Sequence, residues 1–264
     1  MVDTSKEFGV TIQEQSVEVH ERLGNLHVNL LPKKKLITVL LSLSMSMFIS
    51  FADQTGVTVA LNRIGKDLDS QKTINWAGTA SLLANTVCQV LFGRLSDIYG
   101  RKTILLGSLI VLAVSDLACG FAQTGVQFYV FRAFAGIGNG GVSSLCMVIL
   151  SDVVTLEQRG KYQGILGASI GLGNAAGPFI MSAFTDSSSW RNFYHLLAPL
   201  NVLIAVALYF LIPGKETSLV LSPIQKLCTL DYWGMLTSTI SITLLLVAVS
   251  SGGSTYAWDS AVVI

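Results

Sequence analysis

Charge is scarce in this sequence. Asp, Glu, Lys and Arg together make up 12% of its 264 residues, about half the roughly 25% of an ordinary globular chain. Hydrophobic residues make up 51% and the mean hydropathy is +0.60, so too little polar side chain remains to cover a surface facing water. That excludes a soluble domain and indicates an integral membrane protein whose main surroundings are the lipid bilayer. The net charge is +1 and the basic residues stand in short groups, which excludes a nucleic-acid partner bound along its phosphates. Cysteine is scarce too. Cys88, Cys119, Cys146 and Cys228 lie in or beside apolar runs, with neither metal-ligand nor disulfide-framework spacing. They read as small core residues, and no metal, cofactor or enzymatic chemistry is expected. The first thirty or so residues are polar and mixed in charge rather than basic and then apolar. No cleavable signal peptide is therefore read, and the first apolar run should act as its own insertion signal.

What the chain has in abundance is long apolar runs. Crossing about 30 Å of hydrocarbon takes about 20 mostly apolar residues in a helix, the one open-ended element that satisfies its own backbone there. Seven segments meet this, approximately Leu36–Leu61, Trp76–Leu95, Ile104–Phe121, Phe128–Leu150, Gln163–Phe184, Phe193–Ile212 and Trp233–Val249. The expected fold is all-α and polytopic. Residues 1–35 read as a cytosolic polar tail, 36–212 as a six-helix transmembrane bundle, 213–231 as a cytosolic linker, and 232–264 as a seventh transmembrane helix with a truncated end. If the tail is cytoplasmic, the inner connections hold eleven Lys and Arg residues against four outside, which favours a cytoplasmic amino terminus.

Three features carry chemistry. The first is charge inside spans. Asp53 lies in the first run, where a carboxylate costs about 2.5–3.5 kcal/mol on insertion scales. It is expected to face a cavity or a partner and to bind protons or substrate; the alternative is a structural Asp bonded to nearby Ser, Thr or Gln. Arg132 lies one or two turns into the fourth run and cannot lose its proton, so it must pair or hydrate, unless it snorkels from a helix end. Gln89 joins these two as a proton-coupling or cavity candidate.

The second feature is the glycine content of the fifth run: Gly164, Gly167, Gly171, Gly173 and Gly177, followed by Pro178. Glycines four apart, as at Gly167 and Gly171 or Gly173 and Gly177, allow close helix contact, and Pro178 is expected to bend the helix. Taken by itself, this stretch is better explained by plain packing. The third is the turn from Gly93 to Lys102. There Gly93 and Gly100 are expected to allow a tight reversal, while Asp97 and Arg101 both oppose the dipoles of their helices. Such a placement requires partners elsewhere, and Asp152 is the candidate for Arg101. The strings from Gly136 to Gly140 and from Gly171 to Gly177 superficially suggest a dinucleotide loop, but neither follows a strand.

Taken together these residues resemble the major facilitator superfamily, most closely its fungal-type fourteen-helix drug:proton antiporters. Gly93, Leu95, Asp97, Gly100, Arg101, Lys102 and Leu105 fit that family's inner-turn motif, with Ile98 where an Arg is common. Arg132, Gly136 and Gly138 look like its fourth-helix motif, linked there to proton coupling, with Ala135 in place of the usual Gln. Gly164, Gly173, Gly177 and Pro178 have the spacing of its antiporter motif, and Met181 and Ser182 replace the closing glycines. Asp53, Gln54 and Thr55 look like the start of its first-helix motif, and the run from Ser189 to Tyr194 is also similar. The resemblance covers about residues 36–264. It implies a six-helix bundle of two inverted three-helix repeats that faces a second bundle across a central cavity, and the missing carboxy-terminal bundle is the main expected partner.

The expected activity is proton-coupled efflux of small amphipathic organic compounds such as drugs, toxins or secondary metabolites, with the plasma membrane as the expected location. In that reading Asp53 and Arg132 respond to protonation, Asp97 with Arg101 latches one state, and Gly173 to Pro178 supplies a sliding surface. Import of iron–siderophore complexes is the alternative within transport. A non-transporting fragment or membrane interaction protein is the alternative of another class.

Overall fold

The structure, a computed structural model, describes residues 32–212 and 232–251. The described residues form seven helices: α1 (Lys33–Asp67), α2 (Asn75–Tyr99), α3 (Arg101–Gly120), α4 (Gly125–Val153), α5 (Leu156–Ser187), α6 (Trp190–Leu211) and α7 (Tyr232–Ser251). The tail to residue 31, the 213–231 linker and the end from residue 252 lie outside the described residues. Each helix outruns its apolar stretch, because backbone hydrogen bonding continues into polar residues as long as nothing interrupts it. The clearest case is α1, whose last turns carry Arg63 and Lys66, residues expected in a loop. Ile64 and Leu68 in this region are buried, so packing holds the extra turns in place.

Local chemistry sets several boundaries. Gly100 separates α2 from α3 with φ 90° and ψ 138°, a backbone conformation that an L side chain would strain. The Thr124 side chain accepts from the Gln127 N–H at the start of α4, and Ser189 accepts from the Arg191 N–H at the start of α6. Both are N-caps for otherwise orphaned donors. Pro178 and Pro199 lie inside α5 and α6, which each continue as one helix.

Packing follows a definite pattern. The most extensive contacts are α1 with α5 and α2 with α4, then α3 with α4 and α3 with α6, and α1 also touches α6 and α4. Exchanging the first three helices for the last three turns the α1–α5 pair into the α4–α2 pair, and α3–α6 into itself. This is the pairing of two inverted three-helix repeats, and α7 lies against α2.

Five of the helices, α1, α3, α4, α5 and α6, are long and apolar enough to cross a membrane. Helix α2 is more polar, and its Ser81 and Asn85 are buried against α4. The outer surface is strongly apolar: Phe210 is 78% exposed, Phe179 77% and Leu203 66%. Side chains of that size stay exposed where lipid or another apolar surface covers them.

Candidate functional site

Five helices meet at a cluster of polar side chains that are cut off from the surface. Asp53 on α1 and Arg132 on α4 are both fully buried, and their Oδ1 and Nη1 atoms stand 2.6 Å apart. Asp53 Oδ2 accepts from Asn139 Nδ2 at 3.1 Å, and the Ser50 hydroxyl donates to Asn139 Oδ1. The Arg132 Nη2 donates to Ser81 on α2 at 3.4 Å, and its guanidinium lies 6.0 Å from the centre of the Tyr194 ring on α6. Two turns into α4, Arg132 is therefore an interior cation with a carboxylate partner, and it does not snorkel. Ser50 and Asp53 share one face of α1, as Arg132 and Asn139 share one face of α4, so one turn of α1 and two turns of α4 suffice to build the cluster.

A second polar contact lies nearby. Asp116 on α3 is fully buried and accepts from Asn201 Nδ2 on α6 at 3.0 Å.

Glycines let these helices come close enough. A Cβ at Gly136 would collide with the Ser81 carbonyl, and one at Gly140 would come within 2.5 Å of the Asn85 carbonyl. At Gly173 and Gly177 a Cβ would come within 2.5 Å of the carbonyls of Phe48 and Ala52, on the turns of α1 that lead to Asp53. Gly164, Gly167 and Gly171 behave differently: nothing lies within 4 Å of a Cβ added to any of them. The expected close contact at Gly167 and Gly171, and the packing role expected of Gly164, therefore do not occur between the described residues. Among the described residues, the face of α5 that these three occupy meets no neighbouring helix, whereas Gly173 and Gly177 face α1.

The turn between α2 and α3 is also sharper in its division of labour than its sequence suggests. Gly100 alone makes the reversal. Gly93 sits inside α2 with open space around it, because the helix runs unbroken to Tyr99. The Arg101 Nη1 pairs with Asp152 Oδ2 at the end of α4, and its Nη2 stands 3.4 Å from Asp97 Oδ1. Lys102 lies over the Tyr209 ring of α6 at 4.7 Å. One arginine thus ties the junction of α2 and α3 to α4. At the opposite end of α1, Asp67 accepts from the Trp190 Nε1 at 2.8 Å and stands 4.0 Å from Arg191. The run from Ser189 to Tyr194 therefore clamps α6 to α1.

Gln89 stands apart from the Asp53–Arg132 pair. Its Nε2 donates to Asn85 Oδ1 at 3.2 Å and to Ser143 Oγ at 3.1 Å, so it bridges α2 and α4. Sequence reasoning singles out none of Ser50, Ser81, Asp116, Asn139, Tyr194 and Asn201 as a site residue, although Tyr194 closes the family-like run that begins at Ser189. Asp116 carries the same signal as Asp53, a carboxylate inside an apolar run. The other five are neutral residue types with no such signal, and only their partners single them out. Cys119 and Cys146 are buried, Cys88 is partly so, and Cys228 lies outside the described residues.

A helical membrane bundle of inverted repeats, glycine-packed around a buried ion pair, is the class that fold and site define. Residues 43–263 match the family model of the Major Facilitator Superfamily, and the chain belongs to that family. It is 48% identical over 252 residues to Citrate exporter 1 of Yarrowia lipolytica, covering 96% of this chain and 36% of that protein. It is 32% identical to the rubrofusarin-specific efflux pump aurT of Gibberella zeae, covering 86% of this chain and 42% of the pump. Among solved structures it resembles the proton:xylose symporter XylE of E. coli, with a TM-score of 0.64 at 13% identity. That match covers 84% of this chain and 56% of XylE and shows the fold alone. The chain thus spans about two fifths of the length of these two transporter relatives.

Proposed function

We propose that this chain forms the amino-terminal half of a proton-coupled exporter of small organic compounds, acting with a second bundle that faces it across a central cavity within the membrane. The observation that carries the reading is the buried Asp53–Arg132 pair at 2.6 Å. Two opposite charges removed from water are held together only while both are ionised, because their mutual attraction must offset several kcal/mol of desolvation per ion. Protonation of Asp53 removes that attraction, releases Arg132 and changes the preferred helix arrangement. Proton binding is thereby linked to a conformational step.

Export rather than import is favoured by the relatives, one named a citrate exporter and the other an efflux pump. With the first of them 48% identical, small organic acids become the first substrates to test, ahead of larger amphipathic compounds. In this proposal Arg101, held by Asp97 and Asp152, latches the Gly100 end of the bundle in one state. That end and the amino terminus face the cytoplasm, and the membrane is the plasma membrane.

The test joins this chain to the carboxy-terminal half of the Yarrowia citrate exporter in proteoliposomes and follows labelled citrate under an imposed pH gradient. The expected result is flux that follows the gradient and loses that dependence in Asp53→Asn. Gradient-driven flux that survives Asp53→Asn unchanged removes the proposed coupling.

A further inference from the structure

We infer that Asp116 is a second proton-binding carboxyl and that it competes with Asp53 for the single guanidinium of Arg132. The inference concerns the charge state of the bundle and stands whether or not the chain moves a solute.

Charge balance is the first ground. Among the Asp, Glu, His, Lys and Arg side chains of the described residues, three, Asp53, Asp116 and Arg132, are wholly excluded from the surface. Two are acids and one is a base. Asp53 takes the base at 2.6 Å, which leaves Asp116 with one amide donor, Asn201, at 3.0 Å. A lone carboxylate in such surroundings is strongly disfavoured, because nothing replaces the hydration that the ion has lost. One bound proton makes the cluster neutral.

Unused hydrogen-bonding capacity is the second. Asp116 Oδ1, Asn201 Oδ1, the Tyr194 hydroxyl and Arg132 Nε are all buried without a partner. A protonated Asp116 supplies a hydroxyl donor on a side of the cluster that has unfilled acceptors. The free Nε shows that Arg132 retains donor capacity beyond its contact with Asp53.

Register is the third. Across the α3–α4 interface, Gly141 faces Ser108 and Gly138 faces Leu112. Continuing one turn along both antiparallel helices brings Asp116 opposite the turn of α4 that ends at Arg132. From α6, Tyr194 lies by Arg132 and Asn201 holds Asp116 two turns further on.

The groups that face Asp116 can be named element by element. Asn201 from α6 donates to it and the Arg132 turn of α4 lies opposite, and Arg132 is in turn contacted by Asp53 from α1, the neutral Ser81 from α2 and Tyr194 from α6. His195 of α6 lies farther along, against Gly120 and Phe121, and Cys119 is on α3 itself.

In the state described here the proton rests on Asp116, and Asp53 is the ionised partner of Arg132. If the proton moves to Asp53, the guanidinium turns to the newly ionised Asp116. No charge is gained or lost in that exchange, so it avoids the desolvation of an unpaired ion.

The test is infrared spectroscopy of the 264-residue chain in lipid nanodiscs, with the aspartates carboxyl-labelled with carbon-13, at neutral pH. The expected wild-type spectrum contains one labelled carbonyl band of a protonated acid. Asp116→Asn removes the band. Asp53→Asn removes it as well, because Arg132 then pairs with Asp116 and the proton leaves. A wild-type spectrum with no protonated aspartyl overturns the inference, as does a band that survives Asp116→Asn. A band that survives Asp53→Asn also overturns it, since Asp116 would then hold its proton without regard to Arg132. Should Asp116→Asn not fold, the wild-type and Asp53→Asn spectra still decide.

Discussion

Arg132 reaches Asp53 across the α1–α4 boundary at 2.6 Å, with both side chains fully buried. Stripping the guanidinium from such a pair leaves buried acid without its counter-charge, a change of about 3–5 kcal/mol in comparable cases. Arg132→Gln is therefore expected to lower stability by that order. Asp53→Asn should lose clearly less, because Asp116 offers Arg132 a second carboxyl. Thermal unfolding of the purified variants in one detergent measures both, and equal losses would contradict the shared-guanidinium arrangement.

Asn139 is the second support of Asp53. Its amide donates to Asp53 Oδ2 at 3.1 Å and its carbonyl takes the Ser50 hydroxyl. Removing a partner from a buried acceptor costs about 1–3 kcal/mol, and Asn139→Ala is expected to fall in that range. Ser50→Ala, which leaves the amide–carboxylate contact in place, should lose less. An Asn139→Ala protein as stable as wild type would show that this hydrogen bond contributes little.

The glycines of α5 divide into two groups. A Cβ at Gly173 or Gly177 comes within 2.5 Å of an α1 carbonyl, whereas at Gly164 or Gly167 it meets nothing within 4 Å. Gly173→Ala and Gly177→Ala are expected to destabilise the bundle by about 1–3 kcal/mol through overpacking. Gly164→Ala and Gly167→Ala should be neutral or slightly stabilising, since alanine favours the helix. Thermal melting of the four variants separates the groups, and uniform behaviour would argue against the α1–α5 contact.

At the Gly100 end, backbone and charge make different demands. Gly100 has φ 90°, so Gly100→Ala is expected to cost more than about 1 kcal/mol, whatever space surrounds it. Asp152→Asn breaks a pair whose members are 37% and 34% exposed, and solvent-screened pairs of this kind contribute about 0–1 kcal/mol. Its effect should shrink further in high salt. Melting curves at low and high ionic strength check both, and a large salt-independent loss in Asp152→Asn would show the pair to be better shielded than its exposure implies.

The positions of the helices were readable in advance because the information is local. An apolar run of about 20 residues commits its backbone to a helix in hydrocarbon wherever its neighbours sit. Arg132 and Asp53 were readable as sites for the same reason, since a charge inside such a run is anomalous on its own. Asp152 could be proposed for Arg101 because one unsatisfied charge predicts another. Gly93, Gly164 and Gly167 could not be sorted from Gly100, Gly173 and Gly177 that way. A glycine's role depends on what stands opposite the missing side chain, or on a backbone angle, and the residue itself records neither.

Composition and apolar runs alone determined that this protein is helical and lives in a membrane, because both follow from single segments meeting hydrocarbon. Tertiary structure alone decided which partners the charges buried inside the spans meet. Asp53 pairs with Arg132, 79 residues away, and accepts from Asn139 at 86, while Asp116 accepts from Asn201 at 85. Such separations are bridged only when whole helices pack, and the approach that packing permits is governed by glycines whose opposing atoms belong to other helices.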